Sequence, residues 1–201
     1  MITLSKALTN SYADGALVYR SVGEVAVGQF VFAAKRGEFG GTMYTPDVLP
    51  TGVAYGTSFS PDGRYLAVSV KNSPYIIIYQ RTGDAFIRMP DVDVAPSSYG
   101  YDAAFSPDGN YLVVAHSTSP YVSIYKKQGD RFSKIANPSS LPPSTGRGVA
   151  FSSDGSLLAV AHSSSPYVTV YRKTTDGTTD TFTKLPNPDV LPASTAYDVA
   201  F

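Results

Sequence analysis

The chain has 201 residues, no cysteine, no tryptophan and a formal net charge of zero, with 43% hydrophobic and 16% charged residues. Without cysteine there are no disulfides, thiolate nucleophiles or zinc–thiolate sites. Neutrality argues against broad electrostatic attachment to nucleic acid or an anionic membrane, the N-terminal residues lack the apolar core of a secretory signal, and no run nears the roughly 18 apolar residues of a membrane span.

In chain order, residues 1–12 stand outside any recognisable pattern and are expected to tether the remainder, by pairing with a neighbouring strand or docking on a partner. Residues 13–52 read as a degenerate first unit that lacks its inner strand. It opens on the decayed turn Ala13-Asp14-Gly15 and closes on Pro46-Asp47-Val48-Leu49-Pro50, which returns as Pro188-Asp189-Val190-Leu191-Pro192. From there the chain repeats every 46 residues: Phe59-Ser60-Pro61-Asp62-Gly63 recurs as Phe105-Ser106-Pro107-Asp108-Gly109 and as Phe151-Ser152-Ser153-Asp154-Gly155. The units are residues 53–98, 99–144 and 145–195, and residues 196–201 begin another. The last spacing grows to 50, and its four extra residues fall within 174–180, a turn that tolerates insertion.

The unit 99–144 shows the pattern most clearly. A strand of small residues (100–105) ends in an aromatic, and Ser106-Pro107-Asp108-Gly109 turns the chain. Two β-rich runs follow, 111–115 and 121–125, then a weaker one at 131–135. Four strands with tight turns make an antiparallel meander, and a meander repeating at this length is a propeller blade. The expected fold is therefore all-β: a β-propeller of four-stranded antiparallel blades, about four within the chain. The first strands line the axis, which explains Ala103-Ala104 and Gly148-Val149-Ala150, while Phe59, Phe105, Phe151 and Phe201 are expected to fill the wedges between blades. Either residues 196–201 close a four-bladed ring on the incomplete first unit, or the chain belongs to a larger propeller; the abrupt stop at Phe201 favours the second.

Residues Val149-Ala150-Phe151-Ser152-Ser153-Asp154-Gly155, then Leu157-Leu158-Ala159-Val160 and Ser165-Pro166-Tyr167-Val168-Thr169-Val170-Tyr171, resemble WD40-like and YVTN-type β-propeller repeats. The resemblance covers residues 13–201 and implies the fold; the Trp-Asp and Gly-His pairs of true WD40 repeats are missing. Residues 182–192 (FTKLPNPDVLP) are similar to propeller arrays of tailed-bacteriophage virion and prophage proteins. That similarity implies a virion location and an oligomeric assembly with other virion proteins. It also implies recognition of a host-surface glycan or protein, in keeping with recently duplicated repeats.

Several residue sets carry candidate chemistry. His116 and His162 stand one repeat apart and invite a metal or acid–base reading, but the preceding unit has Val70 there and no carboxylate completes a ligand set. The plainer reading is a strand-end residue bonded to its own turn. Asp62, Asp108 and Asp154 are explained by turn chemistry. Tyr75, Tyr121 and Tyr167, with Tyr79, Tyr125 and Tyr171, are expected to pack between blades. One set does better. The loops before the first strand and between the second and third strands share a face. That face collects Tyr55, Tyr101, Arg147 and Tyr197, beside Lys71-Asn72-Ser73, Ser117-Thr118-Ser119 and Ser163-Ser164-Ser165. Such a composition suits polar recognition of a sugar or a protein loop, while the plainer reading is a solvated loop face without a ligand. No catalytic residue, metal ligand or cofactor site is assigned, and the expectation is a non-enzymatic interaction module. The alternative is a lactonase- or hydrolase-type propeller enzyme, in which His116 and His162 would be needed.

Overall fold

A computed structural model describes residues 45–177 and 179–201; the tether expected at 1–12 and most of the degenerate unit at 13–52 lie outside the described residues. Pro46–Phe201 is a single compact unit.

The turn after each first strand shows why the repeat folds as it does. Asp62 Oδ1 accepts from Ser60 Oγ at 2.5 Å and from the Arg64 amide at 3.0 Å, and the Ser60 hydroxyl accepts the Tyr65 amide at 2.8 Å. Gly63 closes the turn with φ +67°, a conformation that a side chain would strain. The same bonds recur around Asp108 and Asp154. The chain is thereby reversed into a meander three times.

Blade 1 comprises β1 (Ala54–Phe59), β2 (Tyr65–Val70), β3 (Ile76–Thr82) and β4 (Ala85–Arg88). Blade 2 comprises β5 (Gly100–Phe105), β6 (Tyr111–His116), β7 (Val122–Gln128) and β8 (Arg131–Lys134). Blade 3 comprises β9 (Gly146–Phe151), β10 (Leu157–His162), β11 (Val168–Thr175) and β12 (Asp180–Lys184). Each is a four-stranded antiparallel sheet in sequence order, and the registers coincide: Val68↔Ile77, Val114↔Ser123 and Val160↔Thr169 are one pair seen three times. The fold is a β-propeller type. The insertion in the last unit lengthens the β11–β12 hairpin, since β11 has eight residues where β7 has seven.

Every residue of β2 and β6 is buried, because both faces of these strands pack. Tyr65, Ala67, Ile76 and Ile78 of blade 1 meet Phe105, Leu112, Val114, Tyr125 and Phe132 of blade 2. Tyr111, Val113, Val122 and Ile124 on the other side of blade 2 meet Val149, Leu158, Val160, Tyr171 and Phe182 of blade 3. A polar rim closes each interface. Tyr65 donates its hydroxyl to Asp130 at 2.7 Å, stands edge-on to Phe132, and carries Lys127 over its ring. Tyr111 stands edge-on to Phe182 under Lys173, and its phenol pKa is raised by burial and by its bond to Asp180.

Three expectations need correction. Of the four wedge phenylalanines, Phe105 is buried and Phe151 half-buried, but Phe59 is 46% and Phe201 61% exposed. Phe59 instead lies 5.9 Å from the ring of Phe86, and Phe201 is beyond the last paired strand. Residues 196–201 form no strand. Tyr75, Tyr121 and Tyr167 are half-buried residues at the tips before the third strands, with φ of 68°, 66° and 67°. They turn the chain rather than fill the core, at a cost on the order of 1–2 kcal/mol each. The close packing of each tip explains a glycine that follows: a Cβ on Gly100 would lie 2.4 Å from the Tyr75 carbonyl oxygen, and one on Gly146 equally close to that of Tyr121.

Candidate functional site: a tyrosine–arginine ladder at the mouth

Tyr55, Tyr101 and Arg147 lie within strands rather than in loops, whereas Lys71 and Asn72 are in the β2–β3 tip and Tyr197 follows the last strand. In β1 the pairing skips from Ala54 to Gly56, in β5 from Gly100 to Asp102, and in β9 from Gly146 to Gly148. Tyr55, Tyr101 and Arg147 are the extra residues of three equivalent β-bulges. A bulge re-aims a side chain away from the pleat, which takes these three out of the blade-to-blade core.

The bulges bring the side chains together. The rings of Tyr55 and Tyr101 have centroids 5.3 Å apart at 48°. The guanidinium of Arg147 lies 4.6 Å from the centroid of Tyr101 and 5.7 Å from that of Tyr197. The result is a continuous ladder, Tyr55–Tyr101–Arg147–Tyr197, crossing from blade 1 to the segment after blade 3. Tyr55 and Tyr197 are 47% and 72% exposed, and Tyr101 and Arg147 are half-buried. Arg147 Nε donates to Ser163 Oγ at 3.2 Å, which joins the ladder to the β10–β11 tip. Lys71 and Asn72 are exposed at the β2–β3 tip, with Lys71 Nζ 5.7 Å from the ring of Tyr99.

Sequence reasoning missed the carboxylates beneath the ladder. The residues after the three bulges, and after Tyr197 at the equivalent place, alternate: Gly56, Asp102, Gly148, Asp198. A Cβ on Gly56 would sit 2.8 Å from the Asp102 Cα, and one on Gly148 would sit 2.7 Å from that of Asp198, so each glycine admits the aspartate of the next unit. Asp102 Oδ2 accepts the Val149 amide at 3.0 Å and staples blade 2 to blade 3. Burial raises its pKa, the Val149 and Ala103 amides oppose that, and the charge of Asp198 adds to it. The alternation was visible once the repeats were aligned.

The other candidate sets are structural. His116 and His162 are fully buried, and each bonds the neighbouring strand rather than only its own turn: His116 Nε2 meets Ser123 Oγ at 3.1 Å and His162 Nε2 meets Thr169 Oγ1 at 3.0 Å. Blade 1 fills the same two places with Val70 and Ile77, a shape-compatible apolar pair. Burial depresses both imidazole pKa values, to about 4 for His116. Among the described residues no group of three histidines or carboxylates has metal-binding geometry. Asp62, Asp108 and Asp154 hold their turns, and the hydrogen bonds described above lower their pKa, to about 2 for Asp154. Tyr79, Tyr125 and Tyr171 are fully buried and donate to the carbonyls of Val48, Val94 and Ser140. These carbonyls belong to the connectors between units. Asp47 and Asp93 of the same connectors accept the amides of Arg88 and Lys134 on the outer strands at 2.7 and 2.9 Å. The proline-aspartate wording of the connectors therefore has a structural use, covering an otherwise open strand edge.

The sequence matches no protein-family model and no curated protein. The fold is similar to that of solved structures. Over 68% of this chain and 45% of the other, it resembles a candidate 6-phosphogluconolactonase of Bacteroides uniformis, with TM-score 0.54 and 15% identity. A second candidate 6-phosphogluconolactonase, from Bacteroides fragilis, matches with TM-score 0.52 and 18% identity over 62% of this chain and 36% of that one. Sqt1 of Saccharomyces cerevisiae matches with TM-score 0.57 and 14% identity over 70% and 36%. The chain thus spans less than half the length of these structures, and the likeness is one of β-propeller architecture.

Proposed function

We propose that the chain is a non-enzymatic binding module whose ligand lies across the ladder at the mouth of the blades. The observation that carries this reading is the arrangement of Tyr55, Tyr101, Arg147 and Tyr197: in contact one with the next, the first three raised on bulges, and exposed at both ends of the row. Tyrosine and arginine give large contact area and directed hydrogen bonds at low entropic cost. The test is a panel of surface glycans and surface proteins, applied to the full chain and to Tyr55→Ala/Tyr101→Ala. The reading expects ligands whose affinity falls at least tenfold in the variant. Ligands that bind both forms equally would overturn it.

The bacteriophage assignment, with virion proteins as partners and a host surface as target, rests on the similarity of residues 182–192 and on the near-identity of the repeats. Its test is separate: purified particles that lack the protein would remove the assignment and leave the binding reading standing. The enzyme alternative draws on two structural neighbours that are candidate lactonases, at 15% and 18% identity. The sealed histidines offer it no reachable acid or base, and a screen of lactone substrates with His116→Val decides it.

A further inference from the structure

Arg147 is the one rung of the ladder where a guanidinium stands in place of a phenol. Its Nε is held by Ser163 and its guanidinium carbon stands over two tyrosine rings. Arg64 and Arg88 spend Nη2 on Asp130 and Asp91, whereas Arg147 joins no ion pair among the described residues. The guanidinium is therefore oriented from behind with its outer edge open, an arrangement that matches a planar carboxylate.

A second observation comes from comparing equivalent contacts. In blade 2, Ser98 bonds Ser117, and Ser97 Oγ stands 3.4 Å from His116 Nδ1. In blade 3 the counterparts are Ser144 with Ser163 and Pro143 with His162. In blade 3 Ser163 Oγ accepts from Arg147 Nε instead and Ser144 Oγ is buried without a partner, while Pro143 removes the hydroxyl that His116 has beside its Nδ1. Buried polar atoms left unpaired are destabilising. The Arg147–Ser163 bond thus stands where blade 2 has a serine pair, and it fixes the guanidinium at the mouth.

Resting on the ladder as the binding face, we infer that its ligand is an acidic saccharide, a sugar chain carrying a carboxylate. The acid group sits on the open edge of Arg147, and the sugar faces stack on the exposed rings of Tyr55 and Tyr197. Among the described residues the mouth offers a saccharide phenol rings, serine and threonine hydroxyls and the Asn72 amide. Lys71 beside Tyr99 offers a second positive charge at the same end of the blades.

The test is calorimetric titration of the full chain with a hexameric oligogalacturonate, its fully methyl-esterified form and an oligoglutamate of equal charge. The acid is expected to bind at least tenfold more tightly than the ester. Arg147→Tyr, which installs the residue of the other rungs, is expected to abolish that preference while retaining ester binding. Equal affinity for acid and ester would overturn the inference. If Tyr101→Ala then weakened both, the ladder would remain the binding face and only its acid preference would fall. Tighter binding of oligoglutamate than of the saccharide, or binding of neither saccharide, would also overturn the inference; in the second case the glycan and protein panel still decides the ladder reading.

Discussion

The rim between blades and the mouth at their inner ends are built from the same repeats under opposite constraints. At the rim, Tyr65 and Tyr111 meet Phe132 and Phe182, with a lysine over each ring. The arrangement is reproduced from one interface to the next because each side chain is wedged between two sheets. At the mouth the backbone is reproduced, bulge for bulge, but the side chains change from Tyr55 to Tyr101 to Arg147. Packing holds the first region constant. The second is free to vary, and variation on a constant scaffold is what recognition requires.

Breaking the rim should produce the largest effect. Tyr111→Ala removes a ring packed on Phe182 and a hydroxyl partner of Asp180, and is expected to cost on the order of 3–5 kcal/mol in denaturant unfolding. Tyr111→Leu, which copies Leu157 of blade 3, should cost clearly less, because the apolar contact survives and Lys126 still pairs with Asp180 at 2.6 Å.

The buried histidines sharpen the comparison at an intermediate scale. His116→Val alone leaves the Ser123 hydroxyl without its partner and should cost about 1–3 kcal/mol. Adding Ser123→Ile recreates the Val70/Ile77 pair of blade 1 and should recover most of that loss. The corresponding double change in blade 3, His162→Val with Thr169→Ile, should do better, since it also removes an orphaned Nδ1. The pH dependence has a definite sign. His116 has a folded-state pKa depressed to about 4 from 6.5, so the unfolded state takes up the proton first. Its contribution is complete above pH 6.5 and declines as pH falls toward about 4. Thermal melts of the wild type should show this decline, and those of His116→Val/Ser123→Ile should show less of it.

How much of this was legible in the sequence follows from what a repeat can encode. Strand order, turn positions and the blades came directly from the 46-residue repeat, its β-rich runs and its Asp-Gly turns, because these are local. The mouth was legible only as a shared face. Nothing in Tyr101 or its neighbours announces a bulge, which exists only as a mismatch in pairing with β6. The tyrosine tips failed for the same reason: Tyr121 has high strand propensity, but the tight tip places it at φ 66°. The histidines were placed correctly in the sequence pattern, yet their partners Ser123 and Thr169 lie across a strand pair and were not foreseen.

Stability effects at the mouth should be the smallest. Tyr55→Ala is expected to change unfolding free energy by less than about 1 kcal/mol, because the residue is 47% exposed. An effect as large as that of Tyr111→Ala would mean the ladder is core.

The central claim, that the ladder recognises a ligand rather than supports the fold, is tested most directly by Tyr101→Ala/Arg147→Ala. Binding of the tightest ligand and the midpoint of unfolding would be measured on the same preparation. Anchors of this kind contribute on the order of 1–4 kcal/mol each to a well-packed interface. The account predicts that affinity falls at least tenfold while the unfolding midpoint stays within a few degrees of wild type. A large drop in the midpoint with unchanged affinity would contradict it.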